Sequence, residues 1–457
     1  MSQCEWSKPN KYPMSRSNPP ICLELNGKRI FAKGTNMPTP EIFPGIVTKE
    51  RYQQMLTLVK NANMNIVRML GGCGIQKNVY YNLCDEMGIM VWQEFPLACN
   101  HYGAYDCDHY CRVLNEEAKS IIKRLRNNVS LVLWCGGNEL FNSWSLMTDQ
   151  SYPLRLLNKL TLELSPEIPF IMTAPVSGMA HGPYSFCGDS YRTLIEVFQE
   201  SSGTAYTEFG CWSISPVEFL KTFLTEEEIN NHSHDAKSVW ALHHGNEKMY
   251  YRGGDKISQT LNLVRLNRGD YDQKQKVMEW LQAEGLRFVF EEGRRQSPTC
   301  SMTINWFFTQ PWKVIAGDSL VLYPDVLCPS YYTVKDALRP VVASARYKKF
   351  DWCAGEVFTA EMWLLNDTLN AVEDTITAVL ELDGVEYELA TWNTGLTDKN
   401  VLGPTAHILL PDASCEYMTL KLISKNGFSS KYNLRYYPSE NVVKPKVRQM
   451  NVVNDVD

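Results

Sequence analysis

Two glutamates follow segments that have the pattern of buried strands. Glu139 stands near the end of "LVLWCGGNEL" (131–140), where an apolar run meets two glycines and an amide, Asn138. Glu208 stands near the end of "TAYTEFG" (204–210). In one parallel sheet these ends would share an edge, and two carboxylates ~5–5.5 Å apart suit a double displacement at the anomeric carbon of a sugar. One would be a protonated acid and the other an ionised nucleophile, because close carboxylates push their pKa values apart.

The elements that must position this pair form a repeating pattern. Short apolar segments alternate with amphipathic helical segments, which indicates parallel βα units. Eight such units in about 300 residues favour a closed (β/α)₈ barrel over an open doubly wound sheet. No GxGxxG motif follows the first strand, which argues against a dinucleotide-binding fold. The eight predicted strands lie at 29–36, 65–70, 89–95, 130–135, 169–175, 182–186, 204–210 and 301–308.

Several helix boundaries can also be read from the sequence. Thr48 is placed as the N-cap of a helix whose apolar residues recur at the i, i+3, i+4 spacing. A second helix should stop at Gly88, a residue suited to a C′ position. The stretch 272–295, inside a long insertion after the seventh strand, also has a helical pattern.

The character of the chain changes near residue 340. Later segments alternate apolar and polar residues and are separated by turn pairs such as Asp383-Gly384 and Asn426-Gly427, which predicts an antiparallel, immunoglobulin-like β-sandwich. The predicted organisation is an irregular leader at 1–21, the barrel at 22–340 with an insertion at about 216–298, the sandwich at 341–445 and a tail at 446–457.

Composition excludes several partner classes. The 457 residues carry a net charge of −6, with a pI near 5.9, which argues against nucleic acid or an anionic membrane as a partner. No apolar run approaches the roughly 18–20 residues of a membrane span. The 14 cysteines are scattered, so we expect buried free thiols, no metal site and no cofactor. Free thiols and the absence of a visible leader slightly favour the cytoplasm, with a periplasmic or secreted location as the alternative.

Polar or aromatic residues stand at the predicted carboxyl end of each strand. Side chains at these ends converge on one face of a barrel. The set is Asn36, Arg68, Gln93 with Glu94, Asn138 with Glu139, Thr173, His181 or Tyr184, Glu208 and Trp306.

In combination, these segments resemble the retaining glycoside hydrolases of family 2. "GNE" after the fourth strand, "TEFG" at the seventh and a tryptophan at the eighth carry the resemblance, together with "NGKRIFAKGTN", "NIVRMLGG" and "RLRNNVSLVLWCGGNE". The β-mannosidase and exo-β-glucosaminidase branch is the most similar, because "TEFGCWSIS" departs from the nucleophile segment of the other branches.

The resemblance implies roles for matching positions. Glu139 matches the acid/base and Glu208 the nucleophile. Asn138 matches the amide that binds the sugar 2-hydroxyl, Arg68 the arginine beside the nucleophile, and Trp306 the aromatic floor of the pocket.

Further residues are expected to bind substrate at the same face. Glu94 stands where this branch tends to have aspartate. The rim residues Asn100, His101 and Tyr102 follow on the same loop. The additional substrate-binding candidates are Gln93, Glu94, His181, Tyr184 and Trp212. Other roles stay open: Glu94 could hydrogen-bond a neighbouring loop and Trp212 could pack under its loop. His181 and Tyr184 stand where related enzymes place a residue that bonds the nucleophile.

One departure concerns the pocket wall. Members of the family normally carry a jelly-roll and an immunoglobulin-like domain ahead of the barrel, whereas here the barrel begins near residue 22. The missing wall could come from absent N-terminal domains, from a partner chain or from the insertion.

The expected function is therefore exo-acting hydrolysis of a terminal β-linked sugar, with a β-mannoside as the first choice. The alternatives are an exo-β-glucosaminidase, in which Glu94 would meet a substrate ammonium, and a barrel that binds carbohydrate without catalysis.

Overall fold

The computed structural model describes most of the chain. The residues described are 21–99, 107–143, 145–187, 192–231, 237–245 and 271–439.

Eight parallel strands form the barrel sheet. Their hydrogen-bonded order is β7-β6-β5-β4-β3-β11-β9-β8, so the fifth and sixth strands along the chain stand at the two ends of the curled sheet. The predicted (β/α)₈ barrel is confirmed. The strands are β3 (Ala32–Asn36), β4 (Ile66–Met69), β5 (Met90–Glu94), β6 (Leu131–Cys135), β7 (Phe170–Ile171), β8 (Met179–His181), β9 (Ala205–Glu208) and β11 (Met302–Asn305).

The sixth barrel strand is the one element that the sequence misplaced. It was predicted at 182–186 but lies immediately before that segment, at Met179–His181. Pro183 has no N–H for the sheet, and Gly182 adopts a φ of 76°. His181 therefore ends the strand, and Tyr184 lies in the loop that follows it.

Side chains along the barrel strands alternate between two apolar clusters, as the two-residue period of a strand requires. The inner cluster fills the barrel and includes Ala32, Ile66, Trp92, Leu133 and Ile304. The outer cluster packs between the strands and the helices, and includes Val67, Val91, Trp134, Tyr206 and Phe209. This alternation decides which polar residues at the strand ends can face the mouth of the barrel.

Helices cover the barrel, and the predicted boundaries agree with the structure. Thr48 accepts a hydrogen bond from the backbone N–H of Arg51, a cap that stabilises the helix by about 1 kcal/mol. Gly88 closes the second helix in the left-handed conformation. The helices are α1 (Lys49–Asn61), α2 (Asn78–Met87), α3 (Asp108–Leu125), α4 (Tyr152–Leu164), α5 (Leu194–Glu200), α6 (Val217–Leu220), α7 (Glu226–Asn231), α8 (Val239–Leu242), α9 (Tyr271–Arg295) and α10 (Pro329–Ala337).

None of the helices in the described residues is both long and apolar enough to cross a membrane.

Three small two-stranded sheets lie outside the barrel sheet. Each pair is antiparallel: β1 (Leu23–Leu25) with β2 (Lys28–Ile30), β10 (Ser213–Ile214) with β12 (Ala316–Gly317), and β13 (Val321–Leu322) with β14 (Val326–Leu327).

Two larger sheets follow the barrel and pack face to face as a β-sandwich. The predicted turn at Asp383-Gly384 joins two of its strands, with φ values of 50° and 77°. One pairing differs from the prediction, because β16 runs parallel to β22. The first sheet contains β15 (Val341–Tyr347), β17 (Val357–Asn366) and β20 (Val401–Leu409); the second contains β16 (Asp351–Cys353), β22 (Ser430–Tyr437), β21 (Tyr417–Ser424), β18 (Thr375–Leu382) and β19 (Val385–Asn393).

Candidate active site

The carboxyl ends of the barrel strands bring Glu139 and Glu208 to the same mouth. Glu139 follows β6, Glu208 ends β9, and His181 ends β8 between them. One potential ligand atom from each of these three side chains lies within 4.8 Å of the others. The carboxylate oxygens concerned are therefore close enough for one sugar carbon to lie between them, in keeping with the ~5–5.5 Å separation of carboxyl groups in retaining glycosidases.

Arg68 is the centre of the hydrogen-bond network behind the two acids. It is fully buried. Its Nη1 donates to Oε1 of Glu208 at 2.5 Å and to Oδ1 of Asn36 at 2.7 Å. Its Nη2 donates to Oδ1 of Asn138 at 2.6 Å and to Oε1 of Glu94 at 2.7 Å. Burial alone would lower the pKa of Arg68, but the two carboxylates outweigh it, so the net shift is upward. The guanidinium therefore remains a cation beside Glu208.

Glu94 holds Arg68 in place and does not reach the pocket. Its side chain has no solvent exposure. Oε1 accepts from Nε and Nη2 of Arg68, and Oε2 accepts from the backbone N–H of Gly71 at 2.8 Å. A Cβ at Gly71 would lie 2.0 Å from the carbonyl oxygen of Leu97, so this position requires glycine. Of the two roles expected for Glu94, the structure shows the hydrogen bond to a neighbouring loop and not the contact with substrate, because both of its oxygens are engaged inside the protein.

Two glycines explain how a buried strand ends in an exposed acid. A Cβ at Gly136 would lie 2.2 Å from the carbonyl oxygen of Met172, and one at Gly137 would lie 2.5 Å from that of Leu97. The backbone therefore passes between its neighbours only without side chains. Glu139 follows with a φ of 50°, a left-handed conformation that costs a non-glycine residue on the order of 1–3 kcal/mol and is most often found at functional sites.

A β-bulge directs Glu208 into the barrel mouth. Ala205 belongs to the inner cluster and Tyr206 to the outer one, so strict alternation would place Glu208 outside. The pairing of β8 with β9 shifts register between Ala180 and His181, and such a bulge re-aims the side chain that follows.

Tyr184 contacts the nucleophile candidate from the loop after β8. Its hydroxyl donates to Oε2 of Glu208 at 2.7 Å. Burial, and then the charge of Glu208, raises the pKa of Tyr184, so the phenol keeps the proton that it donates. Its ring meets the half-buried ring of Trp306 edge-on, with centroids 6.4 Å apart. Together they form an aromatic wall beside Glu208.

His181 lies between the two acids. Its Nδ1 is 2.8 Å from Oε1 of Glu139 and 3.6 Å from Oε2 of Glu208. The hydrogen bond from His181 is the main cause that lowers the pKa of Glu139, and it outweighs the opposite effect of burial. In this state Glu139 therefore loses its proton more readily than a free glutamate does, whereas an acid catalyst must hold a proton.

The family comparison identifies the first part of the barrel. Residues 21–159 match the model of "Glycosyl hydrolases family 2, TIM barrel domain". The predicted resemblance to glycoside hydrolase family 2 is confirmed.

Named relatives agree with this assignment. The chain is 23% identical to "Beta-mannosidase B" of Neosartorya fischeri over 413 residues, which is 82% of this chain and 46% of the relative. It is 32% identical to "Beta-mannosidase" of Capra hircus over 172 residues, 34% of this chain and 19% of the relative. The chain thus spans about half the length, or less, of these curated relatives.

Solved structures support the fold. The β-D-mannosidase of Dictyoglomus thermophilum aligns with a TM-score of 0.74 and 22% identity, covering 92% of this chain and 52% of that one. The exo-chitosanase CsxA of Amycolatopsis orientalis aligns with a TM-score of 0.68 and 18% identity, covering 90% and 49%. At these identities the likeness concerns the fold alone.

Two of the predicted substrate-binding residues lie outside the mouth. Gln93 is fully buried; it accepts from the hydroxyl of Tyr81 and donates to the carbonyl of Glu94. It faces the helices because its neighbour Glu94 faces the barrel. Trp212 is 1% exposed and belongs to the outer core cluster, so it packs under the loop and does not present a face to a sugar.

Other residues near the site were not singled out as site residues. Asn36 was noted only as a strand end, yet its amide donates to the carbonyls of Thr207 and Asn305 while its oxygen supports Arg68. Cys99 contacts the Asn138 carbonyl through its backbone N–H; burial, and then the charges of the two acids, raises the pKa of its thiol. The sequence carries no signal for Cys99. The rim candidates Asn100, His101 and Tyr102 lie outside the described residues.

Glu139, His181 and Glu208 also form the group of potential metal ligands found in the described part of the chain. Glu208 is already compensated by Arg68 at 2.5 Å, and the nitrogen of His181 that faces the acids is its hydrogen-bond donor to Glu139. A metal would have to displace the hydrogen on Nδ1 of His181. These contacts therefore favour two acids bridged by a hydrogen-bond donor over a metal site.

Proposed function

We propose that the protein is a retaining, exo-acting β-glycosidase that hydrolyses a terminal β-linked sugar, with a β-mannoside as the preferred substrate. The observation that carries the proposal is that Glu139 and Glu208 approach within 4.8 Å at one barrel mouth. The family match and the β-mannosidase relatives support the same reaction class.

Unequal surroundings support the division of roles. The side chain of Glu208 is 4% exposed and contacts Arg68 and Tyr184, which suits an ionised nucleophile. The side chain of Glu139 is 32% exposed, which suits a group that must meet a leaving group and later a water molecule. The arrangement therefore assigns attack to Glu208 and proton transfer to Glu139.

The reaction would proceed in two balanced steps. A carboxylate oxygen of Glu208 forms a bond to the anomeric carbon while the glycosidic C–O bond breaks and Glu139 gives its proton to the departing oxygen. Water then attacks that carbon, the ester bond to Glu208 breaks, and Glu139 receives the proton. Because Arg68 holds the amide oxygen of Asn138, the NH₂ group of Asn138 is oriented as the donor to the sugar 2-hydroxyl.

The engagement of Glu94 favours a mannoside over a glucosaminide. A glucosaminidase needs an anionic group for the substrate ammonium, and Glu94 was the candidate for that task. Glu94 is instead fully used by Arg68 and Gly71.

A panel of 4-nitrophenyl β-glycosides tests the proposal. We expect nitrophenol release from the β-mannoside above the other sugars, and the first product seen by proton NMR should be the β-anomer. Faster turnover of the β-glucosaminide would show that the preferred substrate is a glucosaminide and not a mannoside. Binding without turnover, unchanged by Glu208→Gln, would favour the non-catalytic carbohydrate-binding barrel.

A further inference from the structure

His181 carries one N–H that faces two acids. Nδ1 lies 2.8 Å from Glu139 and 3.6 Å from Glu208, and the side chain is only 7% exposed. A bare nitrogen lone pair directed at two carboxylates would be repelled, so Nδ1 holds the hydrogen. The other ring nitrogen, Nε2, is buried and meets no hydrogen-bond partner within the described residues. The hydrogen that can serve the two acids is therefore the one on Nδ1.

A single donor cannot serve both acids at full strength. In the resting arrangement it belongs to Glu139 and stabilises the carboxylate, which is the wrong form for the first step of the proposed reaction. Once Glu139 is protonated, the anionic Oε2 of Glu208 is the stronger acceptor, and it lies less than 1 Å beyond hydrogen-bond distance. Tyr184 already donates to the same oxygen, so a second donor there would hold the nucleophile in one orientation.

We propose that His181 is a positioning residue whose single N–H moves between Glu139 and Glu208 during the double displacement, following the negative charge. The inference rests on the proposed function and replaces the expectation that His181 binds sugar. While Glu208 is the anion, the N–H supports Glu208 and leaves Glu139 free to be an acid. After Glu208 has become a glycosyl ester it carries no charge, so the N–H returns to Glu139 and stabilises the carboxylate that accepts the proton of water.

Of the donors around the two acids, His181 is the one that can change its acceptor. Within the described residues, the charged and titratable side chains facing this place are the two acids, Arg68 behind Glu208, and Tyr184 and Cys99 beside them. Arg68 is held by three further acceptors, and the hydroxyl of Tyr184 donates to Glu208. The downward shift in the pKa of Glu139, caused first by His181, agrees with this coupling.

Two substitutions separate the donor from the ring. His181→Asn keeps an amide N–H near the position of Nδ1, whereas His181→Phe keeps a ring without a donor. His407→Phe is the matched control, because His407 is exposed on a strand of the sandwich. The pH profile of kcat/KM for 4-nitrophenyl β-mannoside is measured for the three variants and the unmodified protein.

The expected sign follows from the acid step. The basic limb of kcat/KM reports loss of the proton from Glu139. Removing a hydrogen bond to the carboxylate raises that pKa, so His181→Phe should move the basic limb upward by about one pH unit. Its kcat should fall at least roughly tenfold, because a Glu139 that holds its proton more tightly is a weaker acid toward the departing oxygen. His181→Asn should stay near the unmodified profile, and so should His407→Phe.

The outcomes distinguish this inference from the proposed function. If the unmodified protein releases nitrophenol and His181→Phe keeps the same basic limb, the inference fails alone. It also fails if His181→Asn shifts as far as His181→Phe. If the unmodified protein hydrolyses no β-glycoside in the panel, both proposals fail together.

A spectroscopic measurement does not depend on the phenylalanine variant folding. Nitrogen-15 NMR of the imidazoles, with His181 assigned by the signal missing in His181→Asn, should show a hydrogen on Nδ1. A ring whose Nδ1 carries no hydrogen would overturn the proposal.

Discussion

Two regions of this molecule bury dense clusters of charge, and only one of them is built for chemistry. The mouth cluster comprises Arg68, Glu94, Glu139 and Glu208. The interface cluster lies between the barrel and the sandwich, where α9 meets the sandwich strands. Its members are Glu291, Glu292, Arg294, Arg295, Arg346 and Asp367.

The two glutamates of the interface cluster are closed off from solvent. Arg295 donates to Glu291 at 2.9 Å and to Glu292 at 3.0 Å, and Arg346 donates to Glu292 through two nitrogens. The side chains of Glu291 and Glu292 are 1% and 3% exposed. Arg346 is 28% exposed and lines a cavity together with Arg295, but the two acids are held between α9 and the sandwich strands, so these charges join the two parts of the structure.

The mouth cluster is open on one side. Arg68 and Glu94 are as inaccessible as the interface charges, but Glu139 keeps a side chain that is 32% exposed. Burial and pairing of charge therefore do not mark a catalytic site by themselves. The informative feature is an acid that is held from behind and remains open in front.

The largest expected effect tests the open side of this comparison. Glu208→Ala removes the proposed nucleophile, so we expect a loss of kcat greater than about 10⁴-fold with an activated aryl β-mannoside. Added azide should restore part of the release and give a product of inverted configuration, because it attacks through the space left by the side chain. Residual hydrolysis near the original rate would contradict the role of Glu208.

The next effect depends on the leaving group. Glu139→Ala should cost roughly 10²–10⁴-fold for a disaccharide or alkyl β-mannoside, because the departing oxygen then lacks its proton donor. A 2,4-dinitrophenyl β-mannoside needs little protonation and should lose far less in its glycosylation step. The check is kcat/KM for both substrates, and equal losses would count against Glu139 as the acid.

A substitution in the interface cluster should change stability and leave chemistry intact. Arg295→Met leaves Glu291 buried without its paired cation and Glu292 with Arg346 alone, so we expect the free energy of unfolding to fall by about 3–5 kcal/mol. Denaturant titration measures this fall. At a temperature where the variant is folded, kcat/KM should match the unmodified protein, and a large catalytic loss there would mean that the two clusters are not separate.

The smallest effect concerns a second buried acid of α9. Burial raises the pKa of Glu284 to about 7, and nearby Arg287 opposes the shift only in part. The folded state therefore binds its proton more tightly than the unfolded state, so stability should fall as pH rises from about 4.5 to about 7. Glu284→Gln should flatten this fall in urea titrations between pH 5 and 8. If the stability of Glu284→Gln falls with pH as steeply as that of the unmodified protein, Glu284 is not the cause of the fall.

Much of the mouth could be predicted because parallel strands deliver their ends to one face. Arg68, Asn138, Glu139 and Glu208 follow from that rule and from the resemblance to family 2. Gln93 was wrong for a reason visible in the sequence, since neighbours on a strand point opposite ways and Glu94 takes the inner side. The β-bulge that turns Glu208 inward depends on pairing between strands, which no local pattern reveals.

The interface cluster was beyond the sequence for a different reason. The stretch 272–295 was correctly predicted as a helix, but its many charges suggest a solvated helix. Residues 284–295 of α9 are instead buried, because the sandwich covers the face that a barrel helix usually exposes. Arg295 pairs with Glu291 and Glu292 within the helix, but the ion pairs that cross to the sandwich join residues about 50–70 positions apart in the chain, so spacing cannot identify those.

The most direct test of the central claim is to trap the intermediate. The fluorine of 2-deoxy-2-fluoro-β-mannosyl fluoride slows both steps at the anomeric carbon, while the fluoride leaving group lets the first proceed. We predict time-dependent inactivation and, by mass spectrometry of the digested protein, one fluoromannosyl ester on the peptide that contains Glu208. An ester on Glu139 or elsewhere, or none while the protein hydrolyses β-mannosides, would contradict the account.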